Sequence, residues 1–353
     1  MSKRNEMLEE YDFSKGKRGP VILPVKASGI RRRRSMTQGA ARSSPWPSTR
    51  PSQSTLQLRY SRRWQTSCTC TGHKVSRLHY SQGTRQGPPG FRGRLMKDIY
   101  EEMIVASRVI AASFPQPRFY VSCREPLNLS HSLFNEDVQV MKCRTLVLSE
   151  LKDDLGHGID HSEKVAVEAG ALAYIEGERL SLKEPLRHEA CLLAQVAGLL
   201  HDLRRGEKDH AKVSAFGASR ILQEFSIFPE KGEYIVQAIA NHEAFIEPKR
   251  IDSPVGQMIS DALYDADKFR WGPDNFTQTL WQMLRSSRTR IAPLIRRFPK
   301  GMEGISWIKE TFRTETGKIY GPEFIELGLK IGEKIYQFLQ ERFSEELQQE
   351  KIG

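Results

Sequence analysis

The most reactive side chains in this 353-residue chain stand at the end of one apolar stretch, Glu189–Asp202, EACLLAQVAGLLHD. Between Cys191 and Leu200 only Gln195 is polar, and a helix that is apolar all round has to be buried on most sides. His201 and Asp202 close the stretch and would follow it into the interior, where an unpaired ionisable group costs several kcal/mol. A bound metal ion compensates both groups at once. Nitrogen and carboxylate donors suit Mn, Fe, Co or Zn better than Ca or Mg.

Further donors stand on either side. Upstream, GHGIDHSEKVA carries His157 and His161; downstream are His210 in DHAKVSAFGASRIL, His242 in AIANHEAF and Asp267 in ALYDADKF. A single histidine at a helix end is ordinarily a satisfied structural group. Here five of the nine histidines fall in or beside apolar-periodic segments of one region, and that concentration points to a metal centre. His157, four residues before His161 and flanked by Gly156 and Gly158, is expected in a loop facing the same pocket, touching substrate or supporting the ligands. No glycine-rich phosphate loop is present. Lys164, Arg204, Arg205, Lys208, Lys268 and Arg270 lie beside the donors, and an arginine near a metal can grip phosphate oxygens with two hydrogen bonds. Arg204, Arg205 and Lys268 are the expected substrate contacts; the other reading of each is a solvated charge.

The elements that must position these residues read as helices. Apolar periodicity predicts them at about 96–112, 135–154, 161–178, 186–204, 211–226, 231–243, 255–270, 276–288 and 322–344. Phe119–Ser122 is expected to be a short strand, and no alternation suited to a sheet appears elsewhere. Pro229, Gly272–Pro273 and Gly321–Pro322 are expected to punctuate helix ends. The fold class is therefore all-α, a helical bundle of roughly 200 residues, long enough for a proper core.

Charge divides the chain unevenly. Residues 1–95 hold 20 of the 54 Lys/Arg and 4 of the 43 Asp/Glu, a net of +16, while the remainder carries −5. Residues 1–95, with Arg31–Arg34 and a Ser/Pro/Arg tract, are expected to be a disordered basic extension. It is either an arm for nucleic acid, with Tyr60, Trp64 and Tyr80 for stacking, or an extension without function. Residues 96–134 form a linking helix and loop, and 135–345 the metal-binding domain. Nucleic acid is expected to be a partner only through residues 1–95. Five cysteines without a paired framework, no membrane-length apolar run and no signal-peptide pattern point to the cytoplasm. Oligomeric state has no signature.

The ordered set His161, His201–Asp202 and Asp267 resembles the HD-domain superfamily of metal-dependent phosphohydrolases, over about 135–343. Ser-Glu-Lys-Val-Ala after His161 fits the first-ligand helix, and Asp267 is preferred to Asp265 because Lys268–Phe269 follows it. The resemblance implies that these four residues hold one metal, and that His210 and His242 add a second, with Asp202 bridging. It implies a small phosphorylated substrate of the nucleotide class, attacked by activated water. Glu-Ala-Phe-Ile-Glu-Pro after His242 and Leu203-Arg204-Arg205 after the HD pair depart from the cyclic-di-GMP-hydrolysing branch, and the acidic pair of the alarmone hydrolases is missing. Two other readings stay open: a di-iron HD-type oxygenase, and a regulatory module that binds nucleic acid through the basic arm.

Overall fold

The computed structural model describes residues 91–150, 158–345 and 347. Among them are twelve α-helices and no strand: α1 (Phe91–Ala111), α2 (Phe119–Ser122), α3 (Arg124–Glu136), α4 (Val138–Glu150), α5 (Ile159–Arg179), α6 (Glu184–Leu200), α7 (His210–Glu224), α8 (Gly232–Ala240), α9 (Pro254–Phe269), α10 (Leu280–Ser287), α11 (Ile291–Ser306) and α12 (Glu315–Arg342). A π-helical turn, Asn275–Thr279, leads into α10, and a 3-10 turn, Trp307–Glu310, follows α11. The all-α expectation is met. No helix among the described residues is long and apolar enough to cross a membrane.

α6 is the centre. Pro185 starts it in the first turn, where a missing N–H costs nothing, and nearly every side chain from Ala190 to Leu200 is buried. It packs against α3, α4, α5, α7, α8 and α9. Its one polar core residue, Gln195, donates from Nε2 to the Ser130 carbonyl (2.6 Å) and hydroxyl (2.8 Å) of α3, so its amide nitrogen is not buried unpaired. α5 lies closest, because Gly198 lets the two backbones meet: a Cβ there would stand 2.5 Å from Ala166 Cα.

Two further helices are fixed by caps. Ser253 Oγ accepts from Gly256 N (3.2 Å) ahead of Pro254, and so starts α9. Thr314 Oγ1 accepts from Gly317 N (2.8 Å) at the start of α12. Asp265 of α9 accepts from Arg313 N and Thr314 N, both at 2.8 Å, while Glu176 of α5 accepts from Thr316 N (2.9 Å). Two buried carboxylates at the positive end of one helix tie α5, α9 and α12 together.

Several expectations are corrected. Phe119–Ser122 is a helical turn, because Phe119 is buried against Phe269, Tyr320 and Phe324 while Val121 faces outward, which leaves no strand partner or second apolar face. The predicted 135–154 helix begins only at Val138: Asp137 is extended, accepts from Gln139 N and Val140 N, and divides α3 from α4. α11, which holds Pro299, and the first turns of α12, where Gly321–Pro322 is expected to mark an end, are not among the expected helices. Both prolines lie inside helices, where the buried rows Ala292, Leu294, Ile295, Phe298 and Phe324, Leu327, Ile331, Ile335 outweigh a lost hydrogen bond. The expectations for residues 1–90 lie outside the described residues.

Gly198→Ala would drive a methyl into the α5 backbone. It should lower stability by about 1–3 kcal/mol, read as a fall in Tm. An unchanged Tm would show that α5 and α6 can separate without loss.

Candidate metal centre

Five helix ends converge on one buried cluster. His161 sits in the first turn of α5, and His201 and Asp202 follow the last residue of α6 directly. A short turn then leads to His210, the first residue of α7. Asp209 takes the left-handed conformation there (φ 55°), which aspartate tolerates better than most residues, and Ser214 Oγ accepts from Arg204 N (3.0 Å) to hold the turn. His242 lies two residues beyond α8, and Asp267 is in the last turn of α9. All six are buried or nearly so.

The donor atoms fall into two groups that share Asp202. In the first, His161 Nε2 is 3.3 Å from His201 Nε2, 3.9 Å from Asp202 Oδ2 and 3.5 Å from Asp267 Oδ1. His201 Nε2 is 3.4 Å from Asp202 Oδ2 and 3.7 Å from Asp267 Oδ1. Donors held at 2.0–2.2 Å around a tetrahedral ion stand roughly 3.4 Å apart, so this spacing fits a metal. In the second group, Asp202 Oδ1 is 3.3 Å from His242 Nε2 and 3.9 Å from His210 Nε2. Subsets of these six residues bring their donor atoms within 4.8 Å of one another.

Protons are placed by the neighbours. A carbonyl can only accept, so His201 Nδ1–H donates to Gly198 O (2.8 Å) and His242 Nδ1–H to Ile239 O (2.6 Å). Both rings are thereby oriented with Nε2 inward, the arrangement common for ligating histidines. Burial lowers the His242 pKa to about 4 and also lowers that of His161, so both rings are neutral near pH 7. The His242 Nε2 lone pair therefore faces the Asp202 Oδ1 lone pairs at 3.3 Å, and neither atom completes a hydrogen bond. Two buried acceptors repel unless a cation lies between them. His201 differs: burial acts to lower its pKa, but the charges of Asp202 and Asp267 and their hydrogen bonds reverse this and raise it to about 10. Burial would raise the Asp202 carboxyl, yet the charges of His201 and Arg205 hold it well below the usual range.

The expected substrate residues separate. Arg205 turns inward: its Nη1 donates to His210 Nε2 (2.7 Å) and lies 3.9 Å from Asp202 Oδ1. Arg204 is exposed, 4.0 Å from Glu150 and from Glu207. Lys268 is buried, donating to Asp267 Oδ2 and to the His242 carbonyl (3.0 Å), which leaves Asp267 Oδ1 turned to the histidines. Asp265, set aside in favour of Asp267, caps α12. His157 lies outside the described residues.

Sequence reasoning named Lys164 and Arg270 as basic residues beside the donors but missed the ring that they form with Glu168, Tyr120 and Asp274. Arg270 Nη2 donates to both Glu168 oxygens (2.8 and 2.6 Å) and to Tyr120 Oη (2.9 Å), and its Nη1 reaches Asp274, which Lys164 also meets at 3.2 Å. Glu168 stands seven residues after His161, on the same face of α5, and Arg270 three after Asp267. That shared spacing is the signal that could have found them. The pair holds α5 and α9 in the register that lets His161 meet Asp267.

No family model, curated protein or solved structure matches this chain. What stands is the geometry: buried histidines and aspartates that could hold a metal ion.

Binding through His201 requires its Nε2 proton to leave. With the His201 pKa raised to about 10, the ring is protonated below that value, so binding should release one proton and affinity should fall about tenfold per pH unit as pH drops from 9 to 6. Titration calorimetry in buffers of different ionisation enthalpy reads the proton count. A buffer-independent heat would remove His201 from the ligand set.

Proposed function

We propose that this protein is a metal-dependent phosphohydrolase of the HD type, acting on a small phosphate ester of the nucleotide class. The observation that carries the reading is the buried contact of His242 Nε2 with Asp202 Oδ1, two acceptors 3.3 Å apart, beside a first donor group at metal-ligand spacing. On this reading His161, His201, Asp202 and Asp267 hold one ion, and His210, His242 and the other Asp202 oxygen hold a second.

Divalent ions bound there would supply Lewis acidity, activating water and neutralising charge on the phosphate. The chain's own contribution is orientation. Gly198 and Ile239 carbonyls aim two imidazoles, and Lys268 aims Asp267. Asp202, ionised at neutral pH, offers one oxygen to each group. Arg205 is the arginine placed to meet a phosphate oxygen, since it faces the cluster and keeps a partly exposed side chain. Arg204, among exposed glutamates, has no such position.

Elemental analysis of the full chain, purified without chelators, should find two equivalents of Mn, Co or Zn. Phosphate release from a nucleotide panel should depend on them. Asp202→Ala should abolish release while far-UV circular dichroism stays helical; unchanged turnover would sink the assignment. Two irons with oxygen consumption and no phosphate release would replace hydrolysis with oxidative cleavage.

His242→Ala tests the second group separately. It should reduce the metal content from two equivalents to one. Two equivalents retained in that variant would mean that His242 is structural.

A further inference from the structure

The −5 net charge of the chain beyond residue 95 hides a local reversal. Residues 275–302 contain five arginines and one lysine (Arg285, Arg288, Arg290, Arg296, Arg297 and Lys300) and no aspartate or glutamate. All six side chains are exposed. Arg285 pairs with Glu101, whereas Arg288, Arg290 and Arg297 make no ion pair among the described residues.

Helix geometry gathers them. α11 buries Ala292, Leu294, Ile295, Phe298 and Ile305, so the positions between them face outward. Arg290 at the N-cap, Arg297 seven residues later and Lys300 three beyond fall on one face, which runs about 15 Å at 1.5 Å per residue. Another seven residues bring Trp307, 42% exposed and first in the 3-10 turn, below Lys300 and about 100° around from Arg290. Glu303 is the one acid on that face. Arg288, left-handed at φ 52°, closes α10 and stands next to this face in sequence.

We propose that the outward face of α11 and the α10–α11 linker bind single-stranded nucleic acid. Arginine's planar fork matches phosphate oxygens, and all three unpaired cations are arginine. An exposed indole beyond Lys300 at the end of the same helix offers a platform for an unstacked base. An anionic membrane is less suited, because the apolar side of α11 is already buried in the protein and cannot enter a bilayer. This surface is independent of the metal centre and revises the expectation that only residues 1–95 could meet nucleic acid.

The test is fluorescence anisotropy of a labelled 20-nucleotide single strand with the full chain, across a salt series. A single strand contributes a log–log salt slope of about 0.7 per neutralised phosphate, so R288E/R290E/R297E should flatten the slope by about 2 and weaken binding at least tenfold. Trp307→Ala should weaken binding about tenfold with the slope unchanged. R124E/K212E/R220E carries the same charge change on other exposed cations and should bind as wild type. The proposal fails if the first variant keeps wild-type affinity and slope, or if the control variant loses as much. It fails equally if the full chain binds anionic vesicles but not the oligonucleotide. Unchanged far-UV circular dichroism establishes that each variant is folded.

Discussion

A carboxylate taken out of water must find positive charge or hydrogen-bond donors close by, and Asp202 carries this demand into the interior at the end of α6, whose side chains from Ala190 to Leu200 are nearly all buried. α6 cannot be buried without carrying Asp202 and His201 inside. Removing one partner from a buried charge pair commonly costs about 3–5 kcal/mol, so the compensating groups are as much a condition of the fold as of the chemistry. The positive charge comes from protonated His201 itself, from Arg205 before α7 and from Lys268 beside Asp267 on α9, while His161, His210 and His242 arrive from other helix ends with lone pairs that a cation would complete. Packing α6 and building the cluster are one event.

The cluster in turn depends on polar pairs that touch no donor atom. Glu168–Arg270 fixes the face of α5 against the end of α9, and Asp265 and Glu176 receive the first N–H groups of α12. Each is a buried carboxylate hydrogen-bonded to a group at or beside another helix, so each specifies one arrangement of two helices and penalises the alternatives. The glycine contact at Gly198 adds a steric limit: α5 and α6 approach closely enough for His161 and His201 to face each other at 3.3 Å. A looser pair of helices would leave the imidazoles too far apart to share an ion.

Much of this was legible in the residues. The apolar run before His201–Asp202 announced burial, and burial announced compensation. The order and helical context of His161, His210, His242 and Asp267 named the compensating groups, all of which the structure gathers. Legibility ended where local and tertiary signals conflict. Gly321–Pro322 argued for a break, and Pro299 stands inside α11, but the apolar rows on either side of each continue in phase, and packing outweighs one lost hydrogen bond. Phe119–Ser122 looked extended because aromatic and β-branched residues favour strands; its burial against Phe269 and Phe324 is a long-range fact that no short window contains. Glu168 passed unnoticed, and Arg270 was read only as a basic residue beside the donors, for the same reason: each alone reads as a solvated charge, and only their meeting across 102 positions makes them a buried pair. Lys268 read as a substrate contact until its amino group was seen against Asp267 and the His242 carbonyl.

Charge balance separates the two halves of the cluster. Asp202 and Asp267 carry two negative charges, and protonated His201, Lys268 and Arg205 stand against them. A cation entering between His161, His201, Asp202 and Asp267 displaces a proton from His201, which costs only what the solution pH dictates. A cation entering between His210, His242 and Asp202 meets a different obstacle. The His210 Nε2 lone pair already accepts from Arg205 at 2.7 Å, and one lone pair cannot serve a guanidinium and a metal together. Filling the second position therefore requires Arg205 to leave it. On the proposed two-ion reading a proton would gate the first position and an arginine the second, so the two would differ in affinity even though they share a carboxylate. An arginine released from His210 would keep unsatisfied donors beside the cluster, where a phosphate oxygen would be a natural partner.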